Sequence, residues 1–516
     1  MKLLLSIFSL LTCAAFAGVD RPNLIVIQTD EHNFRTLGCY RELLSKEQAL
    51  MWGPEVVETP HIDSLANSGV ICTSFYASTP VCSPSRAALI SGRYPQNTPV
   101  VTNNIPLDDS VVTFAEILRR EGYATGFIGK WHLDGGGKPQ WAPKRKFGFE
   151  DNRYMFNRGH WKQFEDTPDG PRVKARDSKD KPTYSAKGAD EESFATDWLM
   201  RKAHDFVETN KAKPFCLMVS LPDPHGPDSV RPPYDAMYKG KEFHLPRTFT
   251  IDPIVPLTPA WGRAEGKFQD MAQYYGMVKC IDDTVGKLLE KLKANGLEGR
   301  TIVVLTSDHG DLRGEHDRQN KGVPYEGSAK VPFILRYPDK IKKKTVVDEA
   351  LGCVDFLPTI LKLMDVKTAG KEQGRDASEL FLSGKAPEGW KDIAFMRGTG
   401  DKNWVSAVSD QFKLVVSPHD IPWLFDLKRN PDEMMNFFTD AAYRETARDL
   451  AKELKGYGEK FGDKSLEVAA VQADLEWAIS GKGDYKSPLR AEKEQPNPLR
   501  EKKKQQKKKK SPKPVS

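Results

Sequence analysis

NLIVIQTDEH, residues 23–32, is the stretch that decides the fold. Residues 23–28 run on without the polar alternation of a half-exposed strand, which marks a strand buried on both faces. Polar TDEH follows at once. TIVVLT (301–306) repeats the arrangement and is followed by SDHG. FCLMVSL (215–221) ends in PDPHGP, and ATGFIG (124–129) ends in KWHL. Helical patterns alternate with these runs. One covers Val112 to Glu121. Another covers 271–295, with Val278, Ile281, Val285, Leu288, Leu289 and Leu292 on one face and Gly296 as its stop. The alternation predicts an α/β fold, a mostly parallel sheet sandwiched by helices. In such sheets ligands bind beyond the carboxyl ends of the strands. Every polar cluster just quoted lies at such an end.

Beyond residue 386 the texture changes. DQFKLVVS and PWLFDLKRNPDEMMNF read as antiparallel strands with a turn, and AAYRETARDLAKELKGYGEKFG reads as an amphipathic helix. The expected organisation is a catalytic domain over 18–385, a smaller C-terminal α+β subdomain over 386–480, and a disordered Lys-rich tail over 481–516. The formal charge of +6 comes from that tail. Residues 491–516 hold ten Lys or Arg and three Glu, about +7, so the body is near neutral. Nothing in the body suggests a nucleic-acid surface.

MKLLLSIFSLLTCAAFAGVD (1–20) has a basic residue, an apolar stretch and Ala15-Phe16-Ala17 as a small-x-small cleavage site. It reads as a secretory signal over 1–17. Cys13 raises a lipoprotein alternative, which Thr12 before it fits poorly. No other stretch is long and apolar enough for a transmembrane segment. The expected location is exported, periplasmic or secreted. Of seven cysteines, Cys39, Cys72, Cys82, Cys216, Cys280 and Cys353 follow the signal, too sparse for a disulfide scaffold. Cys216 and Cys280 sit in apolar patterns and read as core.

Several clusters could carry chemistry. Asp30-Glu31 and Asp308-His309 end two strands and can surround one divalent cation; oxygen ligands favour Ca²⁺ or Mg²⁺, and histidine pulls toward Mn²⁺ or Zn²⁺. Singly, such pairs are as often turn and cap residues. Lys130 and His132, two apart on an extended chain, would face one pocket and hold a sulfate or phosphate, though a solvated strand face is the commoner reading. His225 is framed by prolines and is either a proton donor or a surface residue. Lys321 follows the Asp308 cluster and could reach an anion; alone, plain exposure would explain it. In VCSPSRAALISGR (81–93), Pro84 suits a first helical turn. Cys82 then lies at the positive end of a helix beside Arg86, where a thiol pKa falls or an oxyanion is stabilised. A thiolate is an awkward partner for a hard cation; an oxygen nucleophile at 82 would suit it better.

Cys82-Ser83-Pro84-Ser85-Arg86, with Leu89, Ser91, Gly92 and Arg93, resembles the sulfatase signature C-x-P-S-R-x-x-L-x-[ST]-G. PNLIVIQTDE, TPHIDSLANSGV, GYATGFIGKWHL, LPDPHGP, VVLTSDHGDLRGEH, NKGVPYEGSAKVPFILR, VDFLPTI and LFDLKRNPDE resemble, in order, segments of type I sulfatases of the alkaline phosphatase superfamily. The resemblance implies an alkaline-phosphatase-like mixed sheet and hydrolysis of a sulfate ester. It implies that Cys82 is converted to Cα-formylglycine by a formylglycine-generating or anaerobic sulfatase-maturating enzyme. It makes Asp30, Glu31, Asp308 and His309, together with residue 82, the ligands of one divalent cation, Ca²⁺ being the first choice. Arg86 would support the formylglycine hydrate, Lys130 and Lys321 contact the sulfate, His132 steady the hydrate, and His225 protonate the leaving alcohol. Glu31 departs from the commoner Asp or Gln, and His309 from the commoner Asn. The implied substrate is a sulfated carbohydrate. Arg158, His160 and Trp161, in RYMFNRGHWK (153–162), could stack on a sugar and pair with its charges. A phosphodiesterase or phosphonate monoester hydrolase of the superfamily is the nearest alternative. A catalytically inactive glycan-binding protein is another, against which the intact residue set argues.

Overall fold

The computed structural model describes residues 21–249 and 269–490. The signal at 1–17 and the stretch 491–516 of the tail lie outside the described residues. Eight strands form the main sheet: β1 (Asn23–Asp30), β2 (Val70–Cys72), β3 (Ala124–Lys130), β4 (Met155–Phe156), β5 (Phe215–Pro224), β6 (Thr301–Ser307), β7 (Phe333–Arg336) and β8 (Thr345–Val347). Their order is β8-β2-β7-β6-β1-β5-β3-β4. β7 runs antiparallel to both neighbours and the other pairings are parallel. The sheet is therefore mixed and mostly parallel.

The continuous apolar runs have the predicted cause. Along β1, Leu24 and Val26 enter one core while Ile25 and Ile27 enter a second on the opposite face. Ile302 and Val304 of β6 divide from Val303 and Leu305 in the same way. Each such side chain, fully buried, contributes about 1.5–3 kcal/mol. Six helices supply much of the cover: α1 (Pro60–Asn67), α2 (Cys82–Ser91), α3 (Phe114–Arg120), α4 (Ala195–Asn210), α5 (Met271–Ala294) and α6 (Phe356–Leu363). α1, α4 and α5 pack in the core that takes Ile25; α2, α3 and α6 pack in the other. α5 starts where the Asp270 side chain accepts from Gln273 N–H, and Gly296 lies just past its end with φ of 65°.

A second, antiparallel sheet has the order β9-β10-β11-β12: β9 (Ala394–Arg397), β10 (Val405–Val408), β11 (Phe412–Ser417) and β12 (Asp420–Asp426). β11 and β12 are the two strands the sequence predicts; β9 and β10 escape it, as does a second helix. α7 (Arg444–Phe461) is the amphipathic helix and α8 (Ala469–Ser480) the unexpected one. This unit shares a core with one face of the main sheet: Leu414, Leu424 and Leu454 belong to the cluster that holds Leu24. Residues 481–490 correct the expected start of the disordered tail. Tyr485 packs on Trp477 and Phe438, and Arg490 pairs with Asp474 at 2.9 Å.

A buried ion cluster ties the two sheets' units together. Lys413 of β11 bonds Glu326 and Glu433, each at 2.7 Å, and the carbonyl of Pro324 at 2.8 Å. Replacing Lys413 by methionine leaves two buried carboxylates facing each other, and a loss of about 3–5 kcal/mol is expected in denaturant unfolding. A loss below about 1 kcal/mol would contradict this.

His316 is buried and stacked on Tyr325 at 3.6 Å. Burial pushes its pKa down to about 3. The neutral ring is thus favoured on folding. Its contribution is complete above the unfolded value near 6.5 and is lost as pH falls toward 3. About 3 kcal/mol should be gone at pH 4. The H316Q variant should show a correspondingly flatter stability profile between pH 7 and pH 4, and an unchanged profile would refute this origin.

Candidate active site

The carboxyl ends of β1, β3, β5 and β6 converge with the first turn of α2. Cys82 is the first residue of α2, buried, with Val81 as the cap. Its Sγ lies 3.2 Å from His309 Nε2, 3.8 Å from Lys130 Nζ and 3.9 Å from Asp30 Oδ1. Burial opposes ionisation of this thiol. Lys130, Lys321 and His309 outweigh it and hold the pKa well below the ordinary value. Residue 82 therefore sits where negative charge is stabilised.

Asp30, Cys82, Asp308 and His309 offer donor atoms that all lie within 4.8 Å of one another, each buried. Two carboxylates and an imidazole on a buried site suit a divalent cation. Asp30 is held well below the carboxylate range, against burial, chiefly by Lys130. Asp308 is pushed up by burial and by the charge of Asp30. Fixing these two carboxylates is the task of Arg86. Its guanidinium donates to Asp308 Oδ2 (2.9 Å), Asp30 Oδ2 (3.0 Å), Gln28 Oε1 (3.0 Å), the Lys130 carbonyl (2.9 Å) and Ser220 Oγ (2.6 Å). Gln28 and Ser220 escape the sequence reading, although a polar residue inside a strand buried on both faces is itself a signal of a paired partner.

Glu31 is turned elsewhere. With φ of 64° it leaves the strand direction, and its carboxylate meets His225 Nε2 at 2.9 Å and Lys321 Nζ at 3.2 Å. It is not one of the four converging donors, which departs from the expected ligand position. Lys321 is buried and within 2.8 Å of His225 Nε2, so the exposed reading of that lysine is excluded. His225 Nδ1 meets the carbonyl of Gly226 at 2.9 Å.

Lys130 and His132 both reach the site, though not by strand alternation. β3 ends at Lys130, and His132 has φ of 58°. Lys130 Nζ bonds Asp30 and, at 2.8 Å, His160 Nε2. Both ring nitrogens of His132 are buried, and neither has a hydrogen-bond partner among the described residues. Burial draws its pKa down to about 4, opposed by Cys82.

His160 stacks on His225 with centroids 3.5 Å apart. Arg158 is half-buried, and no ion pair of its guanidinium is found among the described residues. Trp161 is a correction: only 3% exposed, it donates its indole N–H to the Arg158 carbonyl and packs on Tyr184, so no face is free for a sugar. The six cysteines among the described residues are all free and buried.

Fold and site together define an enzyme of the alkaline phosphatase superfamily. Within it the chain belongs to the sulfatase family and is a sulfuric ester hydrolase: the family described as Sulfatase matches residues 22–366, and N-sulphoglucosamine sulphohydrolase, C-terminal, matches 314–460. The chain is 29% identical to an ulvan-active sulfatase of Formosa agariphila, over 91% of this chain and 90% of that one. It is 26% identical to an N-acetylglucosamine-6-O-sulfatase of Bacteroides thetaiotaomicron, covering 89% and 90%. Among solved structures, a putative sulfatase of Bacteroides fragilis superimposes with a TM-score of 0.69 at 26% identity, covering 87% of this chain and 97% of that one.

Proposed function

We propose that this sulfatase removes sulfate from a carbohydrate, using Cys82 after its conversion to Cα-formylglycine. The observation that carries the reading is the surround of Cys82. Asp30, Asp308 and His309 converge on it, and Lys130, Lys321, His160 and His225 gather beside them, Lys130 bonded to Asp30. An anionic group beside residue 82 would meet two ammonium groups and two imidazoles. The formylglycine hydrate would supply an oxygen nucleophile at the place now taken by Sγ. Asp30, Asp308 and His309 would hold a divalent cation, Ca²⁺ by donor type, which supplies positive charge beside that oxygen.

The protein's own groups then divide the work. Lys130 and Lys321 bind the sulfate oxygens and offset charge as the S–O bond breaks. His225, with Nδ1 tied to Gly226, presents Nε2 as proton donor to the leaving oxygen. Arg86 keeps Asp30 and Asp308 at fixed spacing. His132, buried beside residue 82, is available to a hydroxyl there. His160, stacked on His225, would border the leaving group, and Arg158, two residues before it, would reach the sugar. The carbohydrate reading is supported by the sugar substrate named for the Bacteroides thetaiotaomicron relative. Among the described residues no helix is long and apolar enough to cross a membrane. With the leader-like start, that supports an exported protein, periplasmic or secreted, matured by a formylglycine-generating or anaerobic sulfatase-maturating enzyme.

Matured enzyme should release inorganic sulfate from an aryl sulfate at least about 100-fold faster, by kcat/KM, than it cleaves an aryl phosphodiester. The reverse preference would assign it to the phosphodiesterase alternative, and no release of either would leave a glycan-binding protein. On sulfated sugars, Arg158→Ala should raise KM about tenfold, the scale of one lost charge-assisted contact. Unchanged kinetics on the sugar that the wild type prefers would remove Arg158 from the substrate site.

A further inference from the structure

Lys162 is wholly buried beneath the site and plays no part in the chemistry above. Its Nζ donates to Asp223 Oδ1 at 2.6 Å and to the main-chain carbonyl of His225 at 3.0 Å, with Met277 Sδ 3.1 Å away. Asp223, equally buried, takes Thr196 Oγ1 on its other oxygen at 2.6 Å. Four separate segments thus meet under His225: the end of β5, the start of α4, α5 through Met277, and residue 162. They are closed by the bond from Ala195 N–H to the Lys162 carbonyl at 3.0 Å.

A buried lysine is costly to desolvate, and a methionine of similar length would fill the same space. The charge is explained by what it grips. His225 lies just past the end of β5, where no strand pairing holds its carbonyl. The Lys162 ammonium fixes that carbonyl and hence the peptide plane leading to Gly226. The Gly226 carbonyl in turn receives His225 Nδ1. Two residues before Lys162, His160 stacks flat on the His225 ring, with 10° between the planes. Segment 160–162 therefore holds His225 twice, by its ring and by its main chain.

We infer that Lys162, with Asp223, is a positioning residue for His225: it sets the direction of Nε2 toward the leaving oxygen and touches no substrate. The inference rests on His225 being the proton donor. Its test is the dependence of kcat on the leaving group, because protonation matters little for an acidic phenol and greatly for a sugar alkoxide. Matured wild type, Lys162→Met, the double variant Lys162→Met/Asp223→Asn and His225→Ala would be assayed on 4-nitrophenyl sulfate, phenyl sulfate and a sulfated sugar. The double variant leaves no unpaired buried carboxylate, so it answers if the single one fails to fold.

His225→Ala should lose about tenfold on 4-nitrophenyl sulfate and about 1,000-fold or more on the sugar sulfate. The Lys162 variants should follow the same trend, from less than about tenfold to about 100-fold, with KM within about threefold of wild type. A loss by one common factor on all three substrates, alongside the graded loss of His225→Ala, would reduce Lys162 to a packing residue and overturn the inference alone. If His225→Ala also lost one common factor, His225 would not be the donor, and the inference would fall with that assignment.

Discussion

Cys82→Ser is expected to abolish steady-state turnover, with kcat at least about 1,000-fold lower, while the protein still takes up one equivalent of sulfate. The serine hydroxyl would stand where Sγ now lies, 3.2 Å from His309 Nε2 and 3.8 Å from Lys130 Nζ. It can attack sulfur: the hydroxyl proton passes to the neutral His132 ring beside it, an Oγ–S bond forms, the bond from sulfur to the leaving oxygen breaks, and His225 gives that oxygen a proton. The serine ester then has no second hydroxyl with which to expel sulfate, and it persists. Intact-protein mass spectrometry after incubation with an aryl sulfate reads the added group. Turnover within tenfold of wild type would show that residue 82 is not the sulfate-accepting position.

Arg86→Met carries the second large effect. It deletes five hydrogen bonds at once and strips Asp30 and Asp308 of their shared partner. Two carboxylates held within reach of one another by that guanidinium would repel, at a cost of about 3–5 kcal/mol in the cation-free protein. The melting temperature should fall accordingly in chelator. Added Ca²⁺ would take over the charge balance between the two carboxylates and should recover more of the loss in the variant than it adds to wild type. Activity should drop more than about 100-fold even with Ca²⁺ present, because the carboxylates no longer keep their spacing. A variant as stable as wild type in chelator would deny Arg86 its role as the clamp of this pair.

The main sheet is legible because its strands are buried on both faces, and four apolar runs with no alternation leave few other readings. The polar clusters are legible as one site for the same reason: parallel strands end together. Legibility stops where the backbone leaves regular geometry. Glu31 and His132 both have positive φ, 64° and 58°, so neither strand alternation nor adjacency to Asp30 tells where their side chains point. Glu31 reads as a ligand from its neighbour but faces His225 and Lys321. Trp161 reads as a sugar platform by its type, yet Tyr184 and the Arg158 carbonyl occupy it. Lys162 carries no local signal, since its partners Asp223, His225 and Met277 are distant in the chain. In the second sheet, β9 and β10 are four residues each, too short for a period to show. α8 has apolar residues spread around its axis rather than on one stripe.

Residue 82 is the centre of the proposed chemistry. Peptide mass spectrometry across residue 82, on protein produced with a sulfatase-maturation system and shown to release sulfate, tests it most directly. The predicted result is the aldehyde form of formylglycine in place of cysteine, in a fraction that rises in step with specific activity across preparations. An unmodified cysteine throughout fully active protein would contradict the account and leave a thiolate, not a hydrate, as the nucleophile.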